Sequence, residues 1–392
     1  MAVTVRSFAK INLGLRIGAA REDGFHELLT VYQTIGLHDV IRVSVGRGRG
    51  IEIRCADPRV PADESNTCFR IVEKTMRALG AKGRVVIDIE KRLPVQGGLG
   101  GASSNAVAAL LGLERVLKKA LPVAEKLRIA AEVGSDLPLF LVGGTVLGVG
   151  RGEQAYPLED LPAIACVVVT PEVRVSTPKA FAEWDRVCAR GLKPESFEEA
   201  NAALKRRSST AGGESADRAT AELRSAGQPG AAVFTRTWTG EGARPHVNKN
   251  HTSKSKTYAE LTASPGSDRM DELGRGLSAW LSKSSSSAPS DFLARGGRAE
   301  NSLLWLVRAG IENDFERVVF PEYPELSDGK SALLRAGAKY ASLSGSGSTL
   351  YGLFASREAA ARAAIRLRKL GWAAQATVTL TRRRYWRRIA AG

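Results

Sequence analysis

The stretch Pro94-Val-Gln-Gly-Gly-Leu-Gly-Gly-Ala-Ser-Ser104 decides the fold, because it places a glycine-rich loop between a predicted strand and a predicted helix. Residues 84–93 before it are rich in β-branched side chains, and residues 106–117 after it carry apolar side chains at helical spacing. Glycines let backbone N–H groups face a ligand, and a helix start adds unpaired N–H groups and a positive dipole end. The stretch therefore predicts a phosphate-binding loop.

Other kinds of loop are the alternatives. The P-loop requires Lys-Ser or Lys-Thr after the glycines, and the dinucleotide fingerprint requires an acidic residue about 20 residues further on; neither follows here. A turn that merely joins two packed elements stays open on the glycines alone. Ser103 and Ser104 favour phosphate binding, because hydroxyls at a helix start both cap the helix and bind anions.

The composition is that of a soluble globular protein. The chain has 392 residues, enough for two domains, with 43% hydrophobic and 25% charged residues. It has no apolar run of about 18 residues and no signal-peptide core near its start. Four scattered cysteines and four histidines argue against disulfides and a metal centre. We expect a cytoplasmic protein, a monomer or weak homodimer, without a membrane partner.

The net charge of +16 permits an anionic partner. The densest basic cluster is Arg382-Arg-Arg-Tyr-Trp-Arg-Arg388. It is open to two interpretations, a contact with phosphate or RNA and a solvated terminal strand and tail. We expect the solvated strand, and no nucleic-acid partner.

The first strand carries polar residues on one side. Over residues 3–17, Ile11 and Leu13 alternate with Asn12 and Gly14, which predicts one buried and one open face. Lys10 begins this alternation between apolar neighbours, an unusual setting for a solvated lysine. Two further strands are expected at 29–35 and 40–45.

Two motifs carry side chains suited to binding or catalysis. The charged turn at 21–28 holds an aromatic residue, Phe25, next to an imidazole, His26, although Asp-Gly alone marks only a hairpin turn. Asp136 lies in a tight loop between a glycine and a proline. On local grounds, a carboxylate there caps a helix or a turn.

The chain divides around an unusual middle segment. Residues 205–257 contain only three Val, Leu, Ile or Met among 53, too few to bury a core. We expect a flexible insert at 187–260, inside a C-terminal domain of residues 161–392 that follows an N-terminal domain of residues 1–160.

Three motifs together resemble the GHMP kinase superfamily. The loop at 94–104 is similar to its Pro-x-x-x-Gly-Leu-Gly-x-x-Ser-Ser phosphate motif, residues 133–140 to its Gly-x-Asp-Val-Pro-Phe-Phe element, and residues 337–348 to its third motif. The resemblance implies an α+β fold of two domains, with the active site in the cleft between them.

The turn at 21–28, following Ala9-Lys-Ile-Asn-Leu13, resembles the branch that phosphorylates the 2-hydroxyl of 4-diphosphocytidyl-2-C-methylerythritol in non-mevalonate isoprenoid synthesis. This resemblance implies that Lys10 and Asp136 are catalytic. It implies that Asn12, Phe25, His26 and Thr177 bind the cytidine-linked acceptor. It implies that ATP is held by Pro94, Val95, Gln96, Gly97, Gly98, Leu99, Gly100, Gly101, Ala102, Ser103 and Ser104. Mg²⁺ would arrive with ATP, held by phosphates and water rather than by a protein site.

Two rival functions remain at this stage. Another GHMP kinase, of the mevalonate or homoserine type, would share the loop, but its acceptor has no base for Phe25 and His26. A catalytically weak relative that binds nucleic acid would use the net charge instead, and the paired Lys10 and Asp136 argue against it. Asn105 departs from the branch, which commonly has Asp after the two serines.

Overall fold

The computed structural model describes residues 2–95, 97–189 and 312–389, which form two β-sheets with helices packed against them. Gln96 and nearly all of the expected insert at 187–260 lie outside the described residues. The division near residue 160 stays a prediction; the strands before it belong to one sheet and the strands after it to the other.

The first sheet has six strands and is built around one long pair. Its strands are β1 (Ala2–Ala20), β2 (His26–Gly46), β3 (Gly50–Cys55), β4 (Arg84–Glu90), β5 (Thr145–Val149) and β6 (Gln154–Pro157). The order is β3-β4-β2-β5-β6, and β1 also pairs with β2. Residues 29–35 and 40–45 are both extended as predicted, but they form one strand, because pairing with β1 keeps the residues between them extended, as in Ser7 opposite Asp39.

Helices cover one face of this sheet. They are α1 (Thr67–Ala78), α2 (Gly101–Leu117), α3 (Val123–Val133) and α4 (Leu137–Val142). The Asn66 side chain caps α1 by accepting from the backbone N–H of Cys68. Because α2 is buried continuously from Ser104 to Glu114, the loop that precedes it is fixed to the centre of the core.

The second sheet has four antiparallel strands in the order β10-β7-β9-β8. They are β7 (Ala165–Val169), β8 (Tyr340–Leu343), β9 (Leu350–Phe354) and β10 (Ala374–Val378). The helices of this part are α5 (Thr177–Ala189), α6 (Glu316–Glu322), α7 (Pro324–Arg335) and α8 (Arg357–Lys369). In the described parts of the chain, no helix is long and apolar enough to cross a membrane.

The basic C-terminal cluster is a helix, α9 (Arg382–Ile389), so the expected solvated strand is wrong. Tyr385 and Ile389, one helical turn apart, are buried in the core of the first sheet. The hydroxyl of Tyr385 donates to the carbonyl oxygen of Phe140 at 2.6 Å. The two buried side chains hold this short helix against the core. They are hard to recognise in the sequence because they lie within a run of arginines.

The predicted open face of β1 is also buried. One side of the strand, with Ile11 and Leu13, packs in a core that includes Val168 and Tyr351 of the second sheet. The other side carries Lys10 and Asn12, which are 4% and 2% exposed. Gly345 lies against both of these polar side chains and Gly100 against Lys10, so the polar side has no solvent face either and its groups need partners inside the protein.

Asp39 fixes the corner where β4 leads into the glycine-rich loop. Its buried carboxylate accepts from the Lys91 ammonium at 2.6 Å and from the backbone N–H groups of Arg92 and Leu93, each at 2.7 Å. Lys91 is itself only 9% exposed. The chain that enters the loop is therefore tied to β2 by three charge-assisted hydrogen bonds.

Asp39→Ala should lower the free energy of unfolding by about 3–5 kcal/mol, because it leaves the Lys91 ammonium buried without its partner. Urea denaturation measures the effect. Glu90→Ala is the control, since Glu90 pairs with Arg92 on the surface, where water screens the pair. Equal and small effects of the two substitutions would contradict the anchoring role of Asp39.

Candidate functional site

The site centres on an ion pair between β1 and the start of α4. The ammonium of Lys10 lies 3.5 Å from Oδ2 of Asp136, and the Asp136 side chain is 30% exposed. Asp136 occupies the N-cap position of α4, yet its side chain makes no capping hydrogen bond. Its carboxylate is therefore directed to Lys10 and partly to solvent rather than to the helix, and the capping interpretation is wrong.

Side chains from both long strands hold Lys10 in place. Its ammonium donates to Oδ1 of Asn12 at 2.6 Å, and the amide of Asn12 donates to the Thr30 hydroxyl at 2.8 Å. The ammonium also lies 5.4 Å from the centre of the Tyr32 ring, within the range of a cation–π contact. A buried positive charge thus has a fixed position beside Asp136.

Tyr32 belongs to the site, and sequence analysis missed it. Its hydroxyl donates to Oδ1 of Asp136 at 3.1 Å. Burial raises the pKa of Tyr32 well above its usual value, with the negative charge of Asp136 adding to the effect, so the phenol stays a donor at neutral pH. Tyr32 stands opposite Asn12 in the β1–β2 register. That pairing could have pointed to it.

The glycine-rich loop lies directly against Lys10. The backbone N–H of Lys10 donates to the carbonyl oxygen of Leu99 at 3.0 Å. Gly98 and Gly100 have φ values of 75° and 68°. A Cβ at Gly98 would overlap the carbonyl oxygen of Ser344, and one at Gly100 would lie 3.1 Å from Cγ of Lys10. Only glycine allows this approach at these two positions.

The two serines that close the loop act differently from the expectation. The N-cap of α2 is Gly100, and no side chain caps the helix. The Ser104 hydroxyl is buried at 2.6 Å from that of Ser7, which also donates to Oδ1 of Asn105 at 2.6 Å. Asn105, which stands where the branch commonly has Asp, therefore pairs with a neutral group, the Ser7 hydroxyl. The expectation that a serine hydroxyl caps α2 is wrong. ATP binding by the loop residues stays a prediction.

The glycine-serine turn at 344–348 packs on the loop from the second sheet. The Ser344 hydroxyl donates to the carbonyl oxygen of Gly98 at 2.9 Å. The Asn313 side chain donates to the carbonyl oxygens of Leu343 and Gly345, and so fixes the turn. The predicted acceptor residue Thr177 reaches the same turn, with its hydroxyl 2.7 Å from that of Ser346.

Phe25 and His26 lie away from the ion pair, at the far end of the long strands. Tyr32 lies six positions after His26 on β2, roughly 20 Å along a strand. Phe25 is 48% exposed, with the Arg151 guanidinium 4.8 Å from its ring centre. The structure therefore places this pair of residues and the Lys10–Asp136 ion pair at separate positions along one strand pair.

His26 is buried in a cluster that sequence analysis did not find. Its ring stacks on Phe181 at 4.7 Å, and Phe181 packs edge-on against Phe315. Nε2 of His26 lies 2.7 Å from a carboxylate oxygen of Asp185. Phe181 and Asp185 are four residues apart on α5, the spacing that places two side chains on one helix face.

A cavity of about 260 Å³ opens beside the loop. It lies between the two sheets and includes Lys91 and Pro94 from the loop side and Val168 and Gln375 from the second sheet. Within the described residues, no group of three His, Cys, Asp or Glu side chains could hold a metal ion.

Family models match both halves of the chain. The GHMP kinases N terminal domain matches residues 66–144, and the GHMP kinases C terminal domain matches residues 299–371. A crystal structure of 4-(cytidine 5'-diphospho)-2C-methyl-D-erythritol kinase superposes with a TM-score of 0.58 at 24% identity, covering 96% of this chain and 99% of that one. A homoserine kinase from Cytophaga hutchinsonii gives 0.57 at 18% identity, covering 97% and 95%. At these identities, the superpositions show the fold alone.

Relatives at higher identity bear one name. The 4-diphosphocytidyl-2-C-methyl-D-erythritol kinase of Solibacter usitatus (strain Ellin6076) is 33% identical over 98% of this chain and 92% of its own length. The protein of that name from Acaryochloris marina (strain MBIC 11017) is 40% identical over 47% of this chain and 59% of its own length. The chain belongs to the GHMP kinases, in the family of 4-diphosphocytidyl-2-C-methyl-D-erythritol kinases.

Proposed function

We propose that the protein transfers the γ-phosphoryl group of ATP to the 2-hydroxyl of 4-diphosphocytidyl-2-C-methyl-D-erythritol, a step of non-mevalonate isoprenoid synthesis. The observation that carries the proposal is the contact between Lys10 and Asp136 beside the glycine-rich loop. Phosphoryl transfer needs aligned reactants and neutralised charge more than covalent help from the protein, and this arrangement provides both.

Asp136 serves as the base in this proposal. Its carboxylate is partly exposed, so a hydroxyl of the acceptor can reach it, and it takes the hydroxyl proton as transfer proceeds. Tyr32 donates to one carboxylate oxygen and leaves the other, Oδ2, facing Lys10 and the cleft. The Lys10 ammonium offsets negative charge on the transferring group.

The phosphates of ATP bind at the loop and the start of α2. No side chain caps this helix, so the N–H groups of its first turn are open to an anion, and the helix dipole favours negative charge there. The cavity next to Lys91 and Pro94 accommodates the nucleoside end of ATP. Mg²⁺, bound chiefly by phosphates and water, would supply further neutralisation of the phosphate charge.

The cytidine end of the acceptor binds near Phe25 and His26. The exposed Phe25 ring offers a face for stacking, and the Arg151 guanidinium beside it suits an anionic diphosphate. The strand distance between this end and Asp136 fits an acceptor that carries a diphosphate between its base and its reactive hydroxyl. Mevalonate and homoserine have neither a base nor a diphosphate to use this second site.

An acceptor comparison tests the proposal. Purified protein with ATP and Mg²⁺ receives 4-diphosphocytidyl-2-C-methyl-D-erythritol, mevalonate or homoserine, and ADP release is measured. We expect turnover with the cytidine-linked acceptor alone, and phosphorus NMR of the product should place the new phosphate on the 2-hydroxyl. Faster turnover of mevalonate or homoserine would overturn the assignment, as would salt-sensitive RNA binding without kinase activity.

Asp136→Asn should lower kcat about 10²- to 10⁴-fold, the range of general-base contributions, because the amide no longer takes a proton. ATP affinity, measured by calorimetry, should change little. Asp160→Asn is a control of the same chemistry, since Asp160 accepts from the backbone N–H of Arg382 away from the ion pair. Turnover of Asp136→Asn within a few-fold of the parent would exclude Asp136 as the base.

Tyr32→Phe should lower kcat about 10- to 100-fold with little change in KM for either substrate. The variant keeps the ring under Lys10 and removes only the hydrogen bond to the carboxylate, a bond to a charged group worth about 1.5–3 kcal/mol. Tyr385→Phe is the matched control, because it also removes a buried hydroxyl, one that donates to a backbone carbonyl. Equal losses of kcat in the two variants would mean that Tyr32 acts only through stability.

A further inference from the structure

The contact between His26 and Asp185 determines which ring nitrogen of His26 carries the proton. Nε2 lies 2.7 Å from Oδ1 of Asp185. An ionised carboxylate only accepts hydrogen bonds, so Nε2 must be the donor in this contact. In a neutral imidazole the other nitrogen then has no proton. Asp185 thus makes Nδ1 of His26 a hydrogen-bond acceptor.

This acceptor is available to a ligand. The ring is packed on one face by Phe181, with the two planes 11° apart, which fixes the direction of its edge. Among the described residues, Nδ1 has no hydrogen-bond partner in another residue, and it is absent from the small set of fully buried polar atoms that lack one. Its lone pair therefore remains accessible at the end of the cleft where Phe25 is exposed.

We propose that Asp185 makes the protein selective for a pyrimidine with an exocyclic amino group, by holding His26 in the tautomer whose Nδ1 accepts a hydrogen bond from that group. The proposal rests on the proposed function, in which His26 faces the base of the acceptor. Cytosine presents an amino group at position 4, whereas uracil presents a carbonyl oxygen there. Two acceptors facing each other repel, so the same site disfavours a uridine-linked acceptor.

A doubly protonated His26 would reverse this selectivity. Both ring nitrogens then donate, and Nδ1–H would pair with the carbonyl of uracil instead. Asp185 is 55% exposed and lies on the surface side of the ring, so its replacement leaves the core of α5 in place. Substitution at this position therefore tests the tautomer without removing a buried group.

Nitrogen NMR tests the tautomer without any substrate. Protein labelled with ¹⁵N-histidine is measured at about pH 8.5, above the ordinary titration range of histidine, and the His26 signals are assigned by their loss in His26→Gln. We expect a protonated Nε2 and an unprotonated Nδ1 in the parent. In Asp185→Ala the two tautomers should mix. A protonated Nδ1 in the parent would overturn the proposal.

Selectivity is measured as the ratio of kcat/KM for the cytidine-linked acceptor to that for its uridine-linked analogue. We expect the parent to favour cytidine by about 10- to 100-fold, the effect of one buried hydrogen bond made or left unmade. Asp185→Ala should lower the ratio about tenfold. Asp185→Lys should lower it further, because an ammonium donates to Nε2 and drives the proton to Nδ1.

Glu183→Ala is the control, since it removes the same charge from the other side of α5 and should leave the ratio unchanged. Unchanged ratios in both Asp185 variants, with the parent active, would overturn the role of Asp185. Failure of the parent to use either acceptor would instead overturn the proposed function, and the NMR result would still decide the tautomer.

Discussion

The hydrogen bond from the backbone N–H of Lys10 to the carbonyl oxygen of Leu99 joins the first strand to the glycine-rich loop. It forms because Gly98 and Gly100 have no Cβ, which would collide with Ser344 on one side and with Phe140 and the Lys10 side chain on the other. The first strand, the glycine-rich loop and the turn at Ser344 are therefore in direct backbone contact. This close approach holds the loop, the lysine and the turn of the second sheet at a fixed spacing.

The close contact of strand, loop and turn buries polar side chains, and these side chains form hydrogen bonds and ion pairs with one another. Lys10, Asn12 and Thr30 form a chain of hydrogen bonds along β1 and β2. Further along β1, the Arg16 guanidinium pairs with the buried Asp314 at 3.0 Å. Buried charges are costly unless paired, so these contacts favour a single position of the strand. A site fixed in advance reorganises little during phosphoryl transfer.

Local sequence patterns predict the parts of the fold and site that neighbouring residues determine. The loop and α2 followed from glycine content and helical spacing, and Lys10 stood out because its neighbours are apolar. Contacts between distant segments leave no local sequence pattern, so they could not be predicted. Asp185 meets His26 across 159 residues of chain, and the polar side of β1 is covered by the distant turn at Gly345, which lies against Lys10 and Asn12. The helix at Arg382–Ile389 was missed because its arginines outnumber the two residues that bury it.

The most direct test is a crystal structure with a non-hydrolysable ATP analogue and 4-diphosphocytidyl-2-C-methyl-D-erythritol bound together. The account predicts that the acceptor's 2-hydroxyl lies roughly 2.6–3.2 Å from the carboxylate of Asp136, the range of a productive base. The β- and γ-phosphates should contact N–H groups of the loop and the first turn of α2, next to Lys10. A hydroxyl held away from Asp136, or phosphates bound elsewhere than at the loop, would contradict it.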